Sequence, residues 1–141
     1  MSAKAKTVIK QYDVATISEV LNREIPDLAI NSINIIETGW DHLVAEVNGD
    51  WIFRFPRSMT SIANLEREKQ LLDYLKNHIT LAIPHYHYFG TDTAFVGYRK
   101  IPGISLSPQV YAGLDFDFRH NIAQTLAFFF TQLHRAVSKE Q

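Results

Sequence analysis

A tight turn signal at Asn48-Gly49 constrains this chain more than any other feature of its sequence. Asn and Gly tolerate the positive φ angles that a two-residue type I′ turn requires. The run before the turn, Ile30 to Val47, is rich in isoleucine and valine and is broken near Gly39, and the run after it, Trp51 to Phe55, is apolar. The sequence therefore predicts three consecutive antiparallel strands.

Helical and strand signals elsewhere complete an α+β pattern. The apolar spacing predicts helices over Asp13 to Arg23, from Ser58 or Thr60 to about Asn77, over Pro108 to Gly113, and over Asp117 to Val137. It places Ile62, Leu65, Leu71, Leu72 and Leu75 on the apolar face of the second helix, and Ile122, Leu126, Phe129, Phe130 and Leu133 along one side of the last. A second hairpin is expected from Tyr86 to Phe89 and Ala94 to Ile101.

We therefore expect a five-stranded antiparallel sheet with a packed helix in residues 1–101, followed by a hinge and further helices in residues 102–141. The chain has no cysteine, which excludes disulfides and thiolate metal sites. Its formal net charge of −1 lacks the excess of positive charge typical of nucleic-acid-binding domains. No apolar run is long enough to span a membrane. We expect a cytoplasmic protein that binds neither nucleic acid nor a membrane.

One carboxylate in the second predicted helix requires a partner. Glu68 follows Leu65 by three residues and precedes Leu72 by four, so helical geometry places it on the apolar face. Arg54 is the nearest plausible cation, in a strand that is otherwise apolar. Because an unpaired buried carboxylate is costly, the sequence predicts an Arg54–Glu68 ion pair.

The segments that carry these features resemble the aminoglycoside and macrolide phosphotransferases, most closely the aminoglycoside 2″-phosphotransferase branch. They are Ile33 to Val47, Asn48 to Arg57, Asn64 to Leu72, Ile83 to Gly90, Gly97 to Leu106 and Leu126 to His134. The resemblance implies a protein-kinase-like N-terminal lobe that binds ATP or GTP with Mg²⁺, in an enzyme that phosphorylates a hydroxyl group. Arg54 stands where the family often has lysine, and its fork is bulkier than an ammonium.

The resemblance also implies the nucleotide site. Arg54, held by Glu68, would contact the phosphates, and the first turn would cover them with Gly39 and Asp41. Apolar walls for the base would come from Ile36, Val44 and Ile52. Main-chain groups at the hinge, near Arg99, Lys100 and Ile101, would contact the edge of the base.

Catalytic residues are not expected in these 141 residues. Family members carry a His-Gly-Asp loop, a downstream Asn and a metal-binding Asp in a second lobe, and this sequence contains no His-Gly-Asp. We therefore predict a truncated, catalytically incomplete lobe, with any small-molecule acceptor bound only by a complete enzyme. Two alternatives stay open: a non-catalytic interaction module without nucleotide, and the lobe of a small-metabolite kinase.

Other polar clusters have simpler explanations. His78, His85 and His87 lack a further ligand at metal spacing, so packed or surface histidines are favoured over a metal site. Asp115 and Asp117 precede a helix and are expected to cap it. The consecutive aromatics Phe128, Phe129 and Phe130 cover too wide an arc for one small lobe to bury, which predicts a homo-oligomer through the last helix.

Overall fold

A computed structural model of the chain describes residues 6, 8 and 11–138. The helices are α1 (Val14–Glu24), α2 (Met59–Leu75), α3 (Pro108–Ala112) and α4 (Phe116–Val137). The strands are β1 (Ile33–Thr38), β2 (His42–Val47), β3 (Trp51–Pro56), β4 (Tyr86–Phe89) and β5 (Val96–Arg99). The predicted α+β fold is confirmed, although several element ends differ by a few residues from those predicted.

The five strands form one antiparallel sheet in the order β1-β2-β3-β5-β4, which confirms the predicted sheet. The β2–β3 turn has the predicted positive φ angles, 56° at Asn48 and 77° at Gly49, but three residues rather than two lie between the paired residues Val47 and Trp51. The Asn48 side chain also accepts hydrogen bonds from the backbone N–H groups of Asn31 and Ser32 and donates to the carbonyl of Ala29. The turn therefore also fixes the chain that leads into β1.

Alternation along β3 divides the sheet into two different faces. Trp51, Phe53 and Phe55 point to one face and are almost fully buried. On that face they join a core with the apolar side of α1 and with alternate residues of β2, comprising Tyr12, Ile17, Val20, Leu21, Ile25, Leu43, Ala45, Val47 and Phe95. Ile52 and Arg54 point to the other face, so a single strand contributes both to the main core and to the opposite surface.

The core depends on a close approach between β3 and β5. Gly97 lies opposite Phe53 in the strand register, and a Cβ atom at Gly97 would lie 2.4 Å from the Phe53 ring. That ring is fully buried and packs against Tyr88 and Phe95, with ring centroids 5.9 Å away in both cases. Phe53 therefore has little room to move away from a larger residue.

Helix α2 begins at a serine cap. The Ser58 hydroxyl accepts a hydrogen bond from the backbone N–H of Ser61 at 3.1 Å, which confirms one of the two predicted caps. Leu65 and Leu75 are buried, but Leu71 is 49% exposed, so its predicted place on the apolar face is wrong. Leu71 follows Leu65 by six residues, which turns it about 120° around the helix.

The chain divides into two compact units. The first contains residues up to Gln70 and Pro84–Lys100, and the second contains Leu71–Ile83 and residues from Ile101 onward. The second unit has its own small core of Leu75, Ile79 and Ala136, with Tyr74, Ile83, Phe129 and Leu133 packed against it. The predicted division after residue 101 stays a prediction.

Helix α4 is capped by Asp115, whose carboxylate accepts a hydrogen bond from the Phe118 N–H at 2.8 Å, as predicted. Much of its predicted apolar side is exposed, including Leu126 (44%) and Phe130 (50%), because the small core reaches only Phe129 and Leu133. In the described part of the chain, no helix has both the length and the apolar character needed to cross a bilayer.

Replacing Gly97 by alanine should destabilise the first unit. We expect Gly97→Ala to lower the free energy of unfolding by about 1–3 kcal/mol, because the new methyl group overlaps the immobile Phe53 ring. Gly113→Ala is the matched control, since its Cβ atom would meet neighbours only at 3.6 Å or more. Urea denaturation measures both changes, and equal stability of the two variants would contradict the prediction.

A buried carboxylate ties α1 to the turn between β4 and β5. The Glu24 side chain is 3% exposed and accepts backbone N–H bonds from Thr91 at 2.5 Å, Asp92 at 3.3 Å and Thr93 at 2.7 Å. Burial opposes ionisation of Glu24, but these donors outweigh it and hold the pKa of the carboxyl below its ordinary value of 4.5. No local feature of the sequence indicates this link between distant segments.

We expect Glu24→Gln to cost about 1.5 kcal/mol of stability at neutral pH, because charge-assisted hydrogen bonds become neutral ones. The folded-state pKa of Glu24 is depressed, so its contribution is complete above pH 4.5 and disappears as the pH falls through the folded-state value. The wild-type advantage should therefore shrink below pH 4.5 in thermal unfolding. Glu19→Gln, at an exposed position on the same helix, is the matched control and should change stability by less than about 0.5 kcal/mol.

Candidate functional site

A cavity of about 690 Å³ lies over the face of the sheet that carries Arg54. Its lining residues come from the β1–β2 turn and from strands β1, β2, β3 and β5: Ile36, Gly39, Trp40, Asp41, His42, Val44, Ile52, Arg54 and Tyr98. Six of them, Ile36, Gly39, Asp41, Val44, Ile52 and Arg54, were predicted from the sequence. A cavity of this size is typical of small-molecule sites.

The strand register explains why these side chains converge. Val44 lies opposite Arg54, and Ile52 lies opposite Tyr98, so both pairs share one face of the sheet. The β1–β2 pairing shifts register between Ile35 and Glu37, which leaves Ile36 as the irregular residue beside the cavity. The site is thus built from alternate residues of adjacent strands, with apolar walls and one guanidinium.

The predicted ion pair is present beside the cavity. Nη1 of Arg54 lies 2.8 Å and 3.0 Å from the two carboxylate oxygens of Glu68, which confirms the pairing. The pair is less buried than the sequence suggested, with side-chain exposures of 21% for Arg54 and 36% for Glu68. Burial opposes the charge of Arg54, but the bonds with Glu68 outweigh it and raise the guanidinium pKa.

Two tyrosines in the site were missed by sequence analysis. The Tyr86 hydroxyl accepts a hydrogen bond from Nη1 of Arg54 at 2.9 Å, and Tyr98 lines the cavity with its ring 5.8 Å from that of Tyr86. Burial raises the pKa of both phenols, so both remain neutral at physiological pH. Only the register, which places Tyr86 opposite Tyr98, reveals that they share the face of Arg54.

In the predicted hinge, the side chains of Arg99 and Lys100 form contacts outside the cavity. Arg99 forms an ion pair with Asp50 and lies over the Trp51 ring at 4.2 Å, and the Lys100 amine binds Glu46 at 2.5 Å. The Lys100 backbone N–H donates to the Asp50 carbonyl.

Ile101 belongs to the second compact unit and is 38% exposed. None of the three predicted hinge residues lines the cavity described above. A main-chain role for Arg99, Lys100 and Ile101 in base recognition stays a prediction.

Two features of the β1–β2 turn bear on ligands. Trp40 lines the cavity but is 99% exposed, an unusual position for the largest apolar side chain. Asp41 is the one carboxylate among the described residues that line the cavity, and no cluster of three potential metal ligands occurs in the described part of the chain.

His87, one of the three histidines weighed as metal ligands, packs against Trp51, with ring centroids 5.6 Å apart.

Comparison with known proteins gives consistent matches. Residues 32–140 match the model of the phosphotransferase enzyme family. The chain is 31% identical to aminoglycoside 2′-phosphotransferase-IIIa in its GDP complex, with a TM-score of 0.79 over 90% of this chain. It is 33% identical to the GDP and kanamycin complex of APH(2″)-IIIa, with a TM-score of 0.76 over 86% of this chain.

A more distant match shows the fold alone. Macrolide 2′-phosphotransferase MphH from Brachybacterium faecium is 22% identical, with a TM-score of 0.56 over 69% of this chain. The five-stranded sheet with its helices corresponds to the kinase-like N-terminal lobe of these proteins. The chain spans less than half the length of the structures it matches, covering 45% and 44% of the two aminoglycoside enzymes.

Proposed function

The chain belongs to the phosphotransferase enzyme family, and from that premise we propose that its first unit binds the nucleotide of a small-molecule kinase. The nucleotide is ATP or GTP, and the complete enzyme transfers its γ-phosphate to a hydroxyl of an aminoglycoside or a related compound. The GDP complexes of the two similar aminoglycoside enzymes support this choice. Such a protein is expected to work in the cytoplasm, where these nucleotides are abundant.

The observation that carries the proposal is the placement of Arg54. Its guanidinium lines a cavity with apolar walls and is held by Glu68 from outside the lining set. A strand cation fixed by a helix carboxylate is the device with which kinases contact nucleotide phosphates. In this arrangement Ile36, Val44 and Ile52 enclose the base, and the turn with Gly39 and Asp41 covers the phosphates.

Magnesium is not provided for by this unit. Mg²⁺ is bound through one or two carboxylates together with substrate phosphates, and Asp41 is the single carboxylate among the described lining residues. The described residues that line the cavity therefore do not form a metal site on their own. Mg²⁺ is expected to arrive with the nucleotide and to be held mainly by groups of a complete enzyme.

We further propose that this chain binds nucleotide without catalysing transfer. The sequence contains no His-Gly-Asp motif, and the orientation of the acceptor hydroxyl depends on an aspartate in such a loop. Positioning and charge stabilisation supply nearly all the rate of phosphoryl transfer. Residues of the complete enzyme therefore determine which acceptor is phosphorylated.

Calorimetric titration with Mg-ATP and Mg-GTP tests the nucleotide proposal. The wild-type chain should show weak, saturable binding, and Arg54→Ala should weaken it at least about tenfold because the phosphates lose a charge-assisted partner. Glu68→Ala should weaken it less, because the cation remains but is no longer fixed. The exposed indole of Trp40 gives a second readout, since its fluorescence should change when the cavity fills.

The matched control is Arg67→Ala, which removes a cation from an exposed position next to Glu68. It should bind nucleotide as the wild type does. If the wild type does not bind nucleotide at millimolar concentration, the proposal is contradicted, and a non-catalytic interaction module becomes the better hypothesis.

Exposed aromatic side chains of α4 support self-association of this chain. Its large exposed side chains include Phe116 at 79%, Phe118 at 58% and Phe128 at 56%. Large apolar side chains left exposed in this number are often covered by a partner. We propose that the chain on its own forms a dimer or higher oligomer through α4.

At protein concentrations on the order of tens of micromolar, sedimentation equilibrium should report a species heavier than the 16.2 kDa monomer. Phe128→Glu should shift this equilibrium toward the monomer, because the charge cannot be buried without a partner. Thr125→Glu adds the same charge at an exposed polar position of the same helix and should have a smaller effect. A monomer at all concentrations would overturn this proposal without affecting nucleotide binding.

A further inference from the structure

The hydrogen bonds of Arg54 are concentrated on one nitrogen. Nη1 carries two protons, and its acceptors are the two oxygens of Glu68 and the hydroxyl of Tyr86. Among the described residues, Nη2 and Nε of Arg54 donate no hydrogen bond. The guanidinium is thus anchored at one corner, and its other donors remain for a ligand in the cavity that Arg54 lines.

Glu68 alone does not fix the orientation of the Arg54 guanidinium. Both of its oxygens lie near the same nitrogen, so the contact is not the two-nitrogen, two-oxygen pairing that holds a guanidinium plane. The carboxylate is also 36% exposed. A second anchor from another direction is needed to keep the plane of Arg54 from rotating.

Tyr86 has the properties of that second anchor. Its side chain is rigid, the residue is only 7% exposed, and its ring is enclosed by Tyr98 at 5.8 Å and Phe89 at 6.2 Å. It comes from β4, whereas Glu68 comes from α2, so Nη1 is held from two different elements. Burial and the neighbouring carboxylate raise the pKa of its hydroxyl, although Arg54 acts in the opposite direction.

We propose that Tyr86 is a positioning residue that orients the free donors of Arg54 toward the phosphates of the bound nucleotide. This inference rests on the proposed function of the cavity. Tyr86 itself need not touch the nucleotide, since it lies outside the lining residues and acts through the guanidinium.

The test compares ligands with and without phosphates on Tyr86→Phe, which keeps the ring and removes the hydroxyl. We expect affinity for Mg-ATP, Mg-GTP and inorganic tripolyphosphate to fall about tenfold, as for loss of a bond to a charged group. Affinity for adenosine and guanosine should be unchanged, because the walls of the cavity are intact. A general disturbance of the fold would weaken nucleosides as well.

Nuclear magnetic resonance of the Arg54 guanidinium gives a readout that needs no ligand. Rotation about the Nε–Cζ bond should be slow in the wild type and faster in Tyr86→Phe. The matched control is Tyr88→Phe, because Tyr88 lies on the same strand but packs against Trp51 and Phe53 on the other face of the sheet. It should change neither Arg54 rotation nor any affinity.

Equal affinity of wild type and Tyr86→Phe for tripolyphosphate and nucleotides would overturn the positioning role while leaving the nucleotide site standing. Equal weakening of nucleosides and nucleotides would overturn it too, because it would show a general distortion of the cavity. If the wild type binds neither nucleotide nor tripolyphosphate, the proposed function fails and the role of Tyr86 fails with it.

Discussion

Both faces of the structure depend on the alternation of side chains along β3. Because successive residues of a strand point to opposite sides, the aromatic residues Trp51, Phe53 and Phe55 are committed to the core beneath α1. The same alternation commits Ile52 and Arg54 to the cavity. A shift of one residue in the register with β2 would move the cation into the aromatic core, where it would be unpaired and costly. The Asn48-Gly49 turn fixes that register, so the cavity chemistry depends on backbone geometry at the other end of the hairpin.

The ion pair of the cavity is better understood as a device for orientation than as a source of stability. Arg54 and Glu68 are 21% and 36% exposed, and partly exposed pairs contribute about 1 kcal/mol or less. Apolar side chains at both positions would pack without a cost of charge desolvation. The fold therefore does not require a guanidinium there, whereas a site for phosphate does. The third contact, from buried Tyr86, follows the same logic because it restrains direction without adding charge.

Local signals in the sequence were sufficient for most elements. The positive φ angles at the hairpin turn, the cap at Ser58 and the cap at Asp115 each follow from a few neighbouring residues. The pairing of Arg54 with Glu68 was also predictable, since helix periodicity places Glu68 on the apolar face and Arg54 is the nearest plausible cation in the predicted sheet.

Sequence analysis could not predict the features that depend on pairing between strands far apart in the sequence. The face shared by Tyr86 and Tyr98 depends on a strand pairing with an irregularity between Tyr86 and Tyr88. The tight fit of Gly97 against Phe53 depends on which strand follows β3 in the sheet, and that order is not sequential. The exposure of Leu126 depends on how much of the apolar side of α4 the small core covers. Periodicity alone identifies an apolar side of a helix, but it does not say how much of that side is covered.

Under the proposed function, charge balance in the cavity would set the strength of binding that this unit can offer alone. The cation of Arg54 is balanced by Glu68, Asp41 contributes a negative charge, and the two tyrosines remain neutral because burial raises the pKa of their hydroxyls. A bound polyphosphate would therefore be attracted by oriented N–H donors rather than by net positive charge. Such donors act strongly only when they are fixed before the ligand arrives and shielded from water. In the proposed site, affinity would thus depend on the rigidity of Arg54, and on Mg²⁺ to offset the charge of the phosphates.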